Sequence, residues 1–124
     1  MKQEEINKFL DDHKLWLESK GEKGKCAYLR GAYLRDTNLQ NANLEGASLV
    51  GADLSGANLE GANLKLSRVL KTNLRGAKFT IEIRDVADFS CCEITKDQLP
   101  WLALHPKFSE FYPTLTVLEW TKNN

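Results

Sequence analysis

The sequence predicts an all-β fold built from a short repeat, with the backbone turning once every five residues in a constant sense. A large apolar residue recurs at that interval at Leu29, Leu34, Leu39, Leu44, Leu49, Leu54, Leu59, Leu64, Val69, Leu74, Phe79, Phe89 and Ile94, and Arg84 alone breaks the series. A small residue stands two places before nearly every centre, as at Ala42, Ala47, Ala52 and Ala57. Gly or Asn follows many centres at Gly31, Asn41, Gly46, Gly51, Gly56, Gly61 and Gly76, where turns need residues tolerant of unusual backbone angles.

Neither regular element accommodates this period. An α-helix advances about 100° per residue, so centres five apart would drift roughly 140° around it at each step. A straight strand alternates sides with every residue, so successive centres would fall on opposite faces. Only a chain that turns within each unit brings all the centres into one core.

Tandem units such as Ala42-Asn43-Leu44-Glu45-Gly46 and Ala57-Asn58-Leu59-Glu60-Gly61 resemble the pentapeptide repeat family over about seventy residues, 27–96. The resemblance implies a right-handed quadrilateral β-helix, a solenoid with four pentapeptides per coil. About three and a half coils would then form a tower roughly 17 Å tall at the usual strand spacing.

Twenty residues per coil stacks the centres in four columns: Leu29, Leu49, Val69 and Phe89; Leu34, Leu54, Leu74 and Ile94; Leu39, Leu59 and Phe79; and Leu44, Leu64 and Arg84. Each buried Leu or Phe contributes about 1.5–3 kcal/mol, against about 1–2 kcal/mol of backbone entropy per ordered residue. The surplus per coil is small, so the open ends matter. Arg84 and Glu82 place charge at both inward positions of one unit, which a dry core does not tolerate unpaired. Residues 81–86 are therefore expected to bulge, with Ile83 or Val86 turning inward.

The chain reads as a single domain, 1–124, with a cap at each end of the solenoid. In residues 1–26, Ile6, Phe9, Leu10, His13, Trp16 and Leu17 fall at helical spacing, and Gly21 and Gly24 then stop an N-terminal capping α-helix. Residues 97–124 form a short mixed C-terminal cap. Thr95-Lys96-Asp97-Gln98 fits a capping box, Pro100, Pro106 and Pro113 divide the segment after it, and Leu115 to Trp120 suits a terminal strand. The apolar side chains of this tail, from Trp101 to Trp120, should close the lower end, or some of them form a homodimer contact.

Seventeen basic and 17 acidic residues leave no formal net charge, and three cysteines without a secretory signal suit a reducing cytoplasm. No apolar run is long enough for a membrane span. Catalysis finds no constellation: His13 and His105 stand apart from any nucleophile motif, and no cofactor is expected. Cys91, Cys92 and His105 make a poor metal set, since adjacent cysteines point to opposite sides of a strand. Lys23-Gly24-Lys25 lacks the strand–loop–helix context of a phosphate loop.

The sequence supports two functional readings. The first is a non-catalytic, rigid protein-binding or structural module with an unidentified protein partner. The second, implied by the resemblance, is mimicry of DNA toward a type II topoisomerase such as DNA gyrase, which demands a long and strongly negative rod. Nine basic against eight acidic residues between Arg30 and Lys96 argue against it, and no nucleic-acid binding is expected. The candidate contact is an outward apolar strip of Val50, Leu66, Leu70 and Val86 beside Arg68, which faces a partner unless the tail folds over it. Tyr28 and Tyr33 lie outward on neighbouring faces next to Arg30 and Arg35.

Overall fold

The computed structural model describes residues 1–79, 86 and 89–118, apart from the side chain of Trp101. From Tyr28 onward the chain returns to the same column every twenty residues, through parallel bridges such as Tyr28↔Ser48, Ser48↔Arg68, Tyr33↔Asp53, Asp53↔Asn73 and Asn73↔Glu93. Each bridge is isolated, because the backbone turns before a second neighbouring residue can pair. Continuous strand among the described residues is confined to β1 (Glu93–Thr95) and β2 (Thr116–Leu118), paired in parallel with Ile94 opposite Val117. The β content is thus spread along columns rather than gathered into long strands, a sparser sheet than the all-β reading suggests.

One unit shows where the backbone hydrogen bonds go. The Asp53 N–H donates to Ala32 O in the preceding coil at 2.9 Å, and the N–H groups of Leu54 and Gly56 donate to Asn73 O and Arg75 O in the following coil at 2.8 and 2.9 Å. The Ala52 N–H closes the corner onto Leu49 O at 3.0 Å, across Gly51 with φ of 71°. Such a corner needs a positive φ, which Gly adopts without a Cβ clash. The remaining donor, Ser55 N–H, is taken by the Asp53 carboxylate at 3.0 Å. Asn43, Asn58 and Asn63 cap Glu45, Glu60 and Lys65 in the same way. Where Asn or Asp precedes a centre, as in these units, it satisfies a donor that coil stacking leaves over.

The centres fill the interior. Leu34, Leu44, Leu49, Leu54, Phe89 and Ile94 have no exposed surface, and Leu29, Leu39, Leu59, Leu64, Val69 and Leu74 are buried beside them. Phe79 is only partly buried. Where a polar residue occupies a small slot, it bonds to a buried carbonyl: Ser67 Oγ donates to Leu64 O at 2.6 Å and Thr72 Oγ1 to Leu49 O at 2.7 Å. These hydroxyls are satisfied without disturbing the ladder.

α1 (Gln3–Glu18) forms where the helical spacing predicts it and lays Ile6 and His13 on the first coil. The Gln3 amide pairs with both backbone groups of Asn38, accepting from its N–H at 3.2 Å and donating to its carbonyl at 2.9 Å. After the helix the chain doubles back so closely that a Cβ at Gly24 would collide with Asp12 O and lie 2.8 Å from Trp16 N. That close approach, with φ of 70°, requires glycine.

At the other end the capping box forms as expected: Gln98 Oε1 accepts the Thr95 N–H at 2.9 Å, and the Thr95 side chain takes the Gln98 N–H. Gln98 also donates to Leu74 O and Ala77 O, tying the turn Lys96–Gln98 to the preceding coil. α2 (Leu99–Leu102) and α3 (Phe108–Phe111) then bury Leu102 and Phe111 in the same core, with Phe111 5.5 Å from Phe89 between ring centres. β2 occupies part of the expected Leu115–Trp120 strand, and Trp120 lies outside the described residues.

The expected bulge at 81–86, with Glu82, Ile83 and Arg84, also lies outside the described residues except for Val86. Val86 is 2 % exposed, and its carbonyl accepts from His105 Nε2 at 2.8 Å. Val86 is thus one of the two residues expected to turn inward at the bulge, and its place in the outward strip is corrected: the tail packs here, and an aliphatic side chain in the same core as Phe89 and Phe111 gains more from burial than from solvent exposure.

Candidate protein-interaction face

The unit Leu66-Ser67-Arg68-Val69-Leu70 alternates sides. Ser67 and Val69 are buried, whereas Leu66 and Arg68 are exposed and Leu70 is half-buried. Extended backbone around Val69 places Arg68 and Leu70 roughly 7 Å apart on one side, and Leu66 stands at the corner before them. Val50 lies one coil above Leu70 and is also half-buried; the N–H of Gly51, its neighbour, bonds Leu70 O at 3.0 Å. Four of the five residues of the predicted strip (Val50, Leu66, Arg68 and Leu70) therefore share one face, and Val86 does not.

Leu66 is the anomaly. Its φ is 59°, and the same corner one coil earlier is Gly46 with φ of 71°. A side chain in the left-handed region costs about 1–2 kcal/mol through Cβ crowding. Leu66 nevertheless leaves 63 % of its surface in water. It bears both a conformational cost and an exposure cost, and the fold gains little from either. Lys71, at the next corner, repeats the strain with φ of 59° where Gly31 and Gly51 stand in the preceding coils. Asp36 and Asn41 share the conformation but belong to residue types that tolerate it.

Charge gathers around this strip. Arg30, Lys65, Arg68 and Lys71 are exposed, and none has an ion pair among the described residues. Glu45 stands half-buried one coil above Lys65. The hydrogen-bond pattern changes here too. Tyr28, Ser48 and Arg68 fill all three described positions of this column where Asn or Asp stands in most other units (Tyr33 and Lys78 being among the further exceptions), so no carboxylate or amide caps the N–H groups of Arg30, Val50 and Leu70. Those three N–H groups have no partner among the described residues. The sequence pattern alone does not single out Lys65, Lys71 and Arg30 as members of the face. The usable signal is a non-glycine at a corner that glycine holds in other coils.

The remaining candidates are engaged otherwise. Tyr28 and Tyr33 are 66 % and 77 % exposed, as expected for outward positions. A cleft of about 370 Å³ between α1 and the first coil is lined by Phe9, Cys26 and Tyr28 with Glu5, Lys8, Asp12 and Lys25. Burial pushes the Cys26 thiol up from its ordinary value, which disfavours the thiolate there. Cys91 is exposed and Cys92 is buried with its thiol 2.9 Å from Val69 O, so the two point apart. Each histidine is committed to backbone partners at both ring nitrogens. His13 accepts from Ala27 N–H at 2.9 Å and reaches Glu45 O at 2.7 Å, while His105 accepts from Lys107 N–H at 3.0 Å and reaches Val86 O at 2.8 Å. No group of three or more potential metal ligands occurs among the described residues, and no described helix is long and apolar enough to cross a membrane.

A chain that revisits each column every twenty residues, with one corner per pentapeptide, is a stacked-coil repeat protein. Residues 27–65 match the Pentapeptide repeats family model in eight copies, and this stretch is a pentapeptide-repeat array. Such repeats imply a right-handed quadrilateral β-helix. No curated protein matches the chain. Among solved structures it is similar to a pentapeptide repeat protein from the thylakoid lumen of Arabidopsis thaliana, with 25 % identity over 81 % of this chain and 70 % of that one and a TM-score of 0.42. It is also similar to a pentapeptide repeat protein from Nostoc PCC 7120, with 18 % identity over 87 % of this chain and 93 % of that one and a TM-score of 0.28.

Proposed function

We propose that this protein is a non-catalytic, rigid protein-binding module. In this reading about three and a half coils form a single domain, closed above by α1 and below by the segment after β1. The Val50, Leu66, Arg68 and Leu70 face is the contact surface. The observation that carries the reading is Leu66, a large apolar side chain held exposed in a conformation that favours glycine. Strain kept without a folding return is characteristic of functional positions. Full use of both histidines by the backbone supports a structural rather than a chemical role for them. A cytoplasmic setting suits the three cysteines, none of which is in a disulfide. DNA mimicry fares worse, since the face with the exposed apolar residue carries cations rather than anions.

The test is site-specific photo-crosslinking in the native host. A photoreactive residue at position 66 should capture a discrete protein, and the same residue at position 78, in the Asn58 column, should not. Equal capture from both positions, or none from position 66, would reject this face.

A further inference from the structure

We infer that the partner presents an acidic segment bearing large apolar side chains, with its carboxylates against Arg30, Lys65, Arg68 and Lys71 and an apolar residue against Leu66. This rests on the docking reading above and deepens it. Three independent features of the face converge on one chemistry. The four cations are exposed and lack ion pairs among the described residues, although the whole chain is neutral. An excess of positive charge among the described residues of one face, with the Glu45 carboxylate above Lys65, steers a negatively charged partner.

The second feature is the row of outward donors. The Gly31 N–H bonds Val50 O and the Gly51 N–H bonds Leu70 O, so Arg30, Val50 and Leu70 stack in consecutive coils at about the strand spacing of 4.8 Å. Their own N–H groups face out unpartnered among the described residues. Asn or Asp side chains consume the equivalent donors of Gln40, Glu45, Ser55, Glu60, Lys65 and Arg75; here they are available to a carboxylate or carbonyl of the partner. The third feature selects protein over other anions. Leu66, Leu70 and Val50 lie among the cations, and a nucleic-acid backbone, contacted chiefly through its phosphate oxygens and sugars, offers no large apolar side chain to set against them. An interface with an apolar centre and a charged rim matches an acidic, apolar-studded protein segment.

The experiment measures fluorescence anisotropy of the intact protein with a short labelled peptide of alternating Glu and Leu. A version with Lys in place of Glu, a duplex DNA and phosphatidylserine vesicles serve as competitors. The Glu–Leu peptide should bind and weaken as salt rises. Arg68→Glu combined with Lys71→Glu should weaken it about tenfold or more, and Leu66→Gly by a similar factor. Lys78→Glu, in a different column, should have little effect, and circular dichroism confirms that each variant folds.

Equal binding by the Lys version overturns the acidic partner while leaving the docking face intact. The acidic partner is likewise overturned if neither peptide binds but position 66 still crosslinks a protein. Displacement of the peptide by duplex DNA or vesicles, with Leu66→Gly without effect, would make the face a general polyanion site and overturn the inference. If crosslinking at position 66 also fails, it is the docking reading itself that falls.

Discussion

The Nδ1 atom of His13 accepts the backbone N–H of Ala27 at 2.9 Å, joining α1 to the first repeat unit through a side chain with no exposed surface. With Nδ1 accepting, the ring proton sits on Nε2 and is donated to Glu45 O at 2.7 Å. One imidazole thus satisfies a donor and an acceptor that the first coil, with no coil above it, leaves over. Trp16 stacks on the ring at 5.7 Å.

Substituting His13→Ala should therefore cost about 2–4 kcal/mol, since a buried N–H and a buried C=O both lose their partner. Urea denaturation followed by circular dichroism measures it. A loss below about 0.5 kcal/mol would mean that water replaces the ring at no cost.

Leu59→Ala should cost about 2–5 kcal/mol. Leu59 is 1 % exposed, between Leu39 and Phe79 in its column, and the coil hydrogen bonds on both sides restrict collapse around a cavity. Retention of full stability in the same denaturation would contradict its place in the core.

Leu66→Gly should move stability the other way, leaving it unchanged or raising it by up to about 1 kcal/mol. Relief of the φ of 59° outweighs the loss of a side chain that buries little. A marked drop in the unfolding midpoint would show that Leu66 serves the fold, and would remove the argument that it is kept for a partner.

The cysteines should alkylate in a fixed order when the native protein meets iodoacetamide near neutral pH. Cys91 is exposed and should react first. Cys26 should follow more slowly, because burial raises its thiol above the ordinary value and lowers the thiolate fraction at any pH below it. Cys92, with no exposed surface, should react only on unfolding. Mass spectrometry reads the order, and early labelling of Cys92 would count against its burial below Thr72, with its thiol on Val69 O.

The repeat core was legible because each unit states the same requirements. Leu54 must point inward, Ala52 must be small, and Gly56 must allow a positive φ, whereas the capping of a spare N–H by Asp53 shows only in the stacked coils. The helix over Gln3–Glu18 and the capping box at Thr95 and Gln98 were legible for similar reasons, since both are local patterns with local causes. At Val86 the sequence reads two ways: the charges of Glu82 and Arg84 call for Ile83 or Val86 to turn inward, while the count puts Val86 on the outward strip. Packing of the non-repeating tail buries it. The face around Leu66 was half legible: Val50, Arg68 and Leu70 follow from the count, but Lys71 and the unpartnered N–H groups of Val50 and Leu70 emerge only when the coils are stacked.

By itself the sequence determined the period, the inward set and the corner chemistry, because these depend on interactions within one unit or between units a constant distance apart. Only the tertiary structure decided what happens where the repetition stops. His13 and His105 became buried ties between the helical segments and the coils, and Leu66 emerged as a strained, exposed side chain ringed by cations. At an end or on an outer face no neighbouring unit repeats the requirement. There the outcome depends on which distant segment or partner supplies the missing surface and hydrogen bonds.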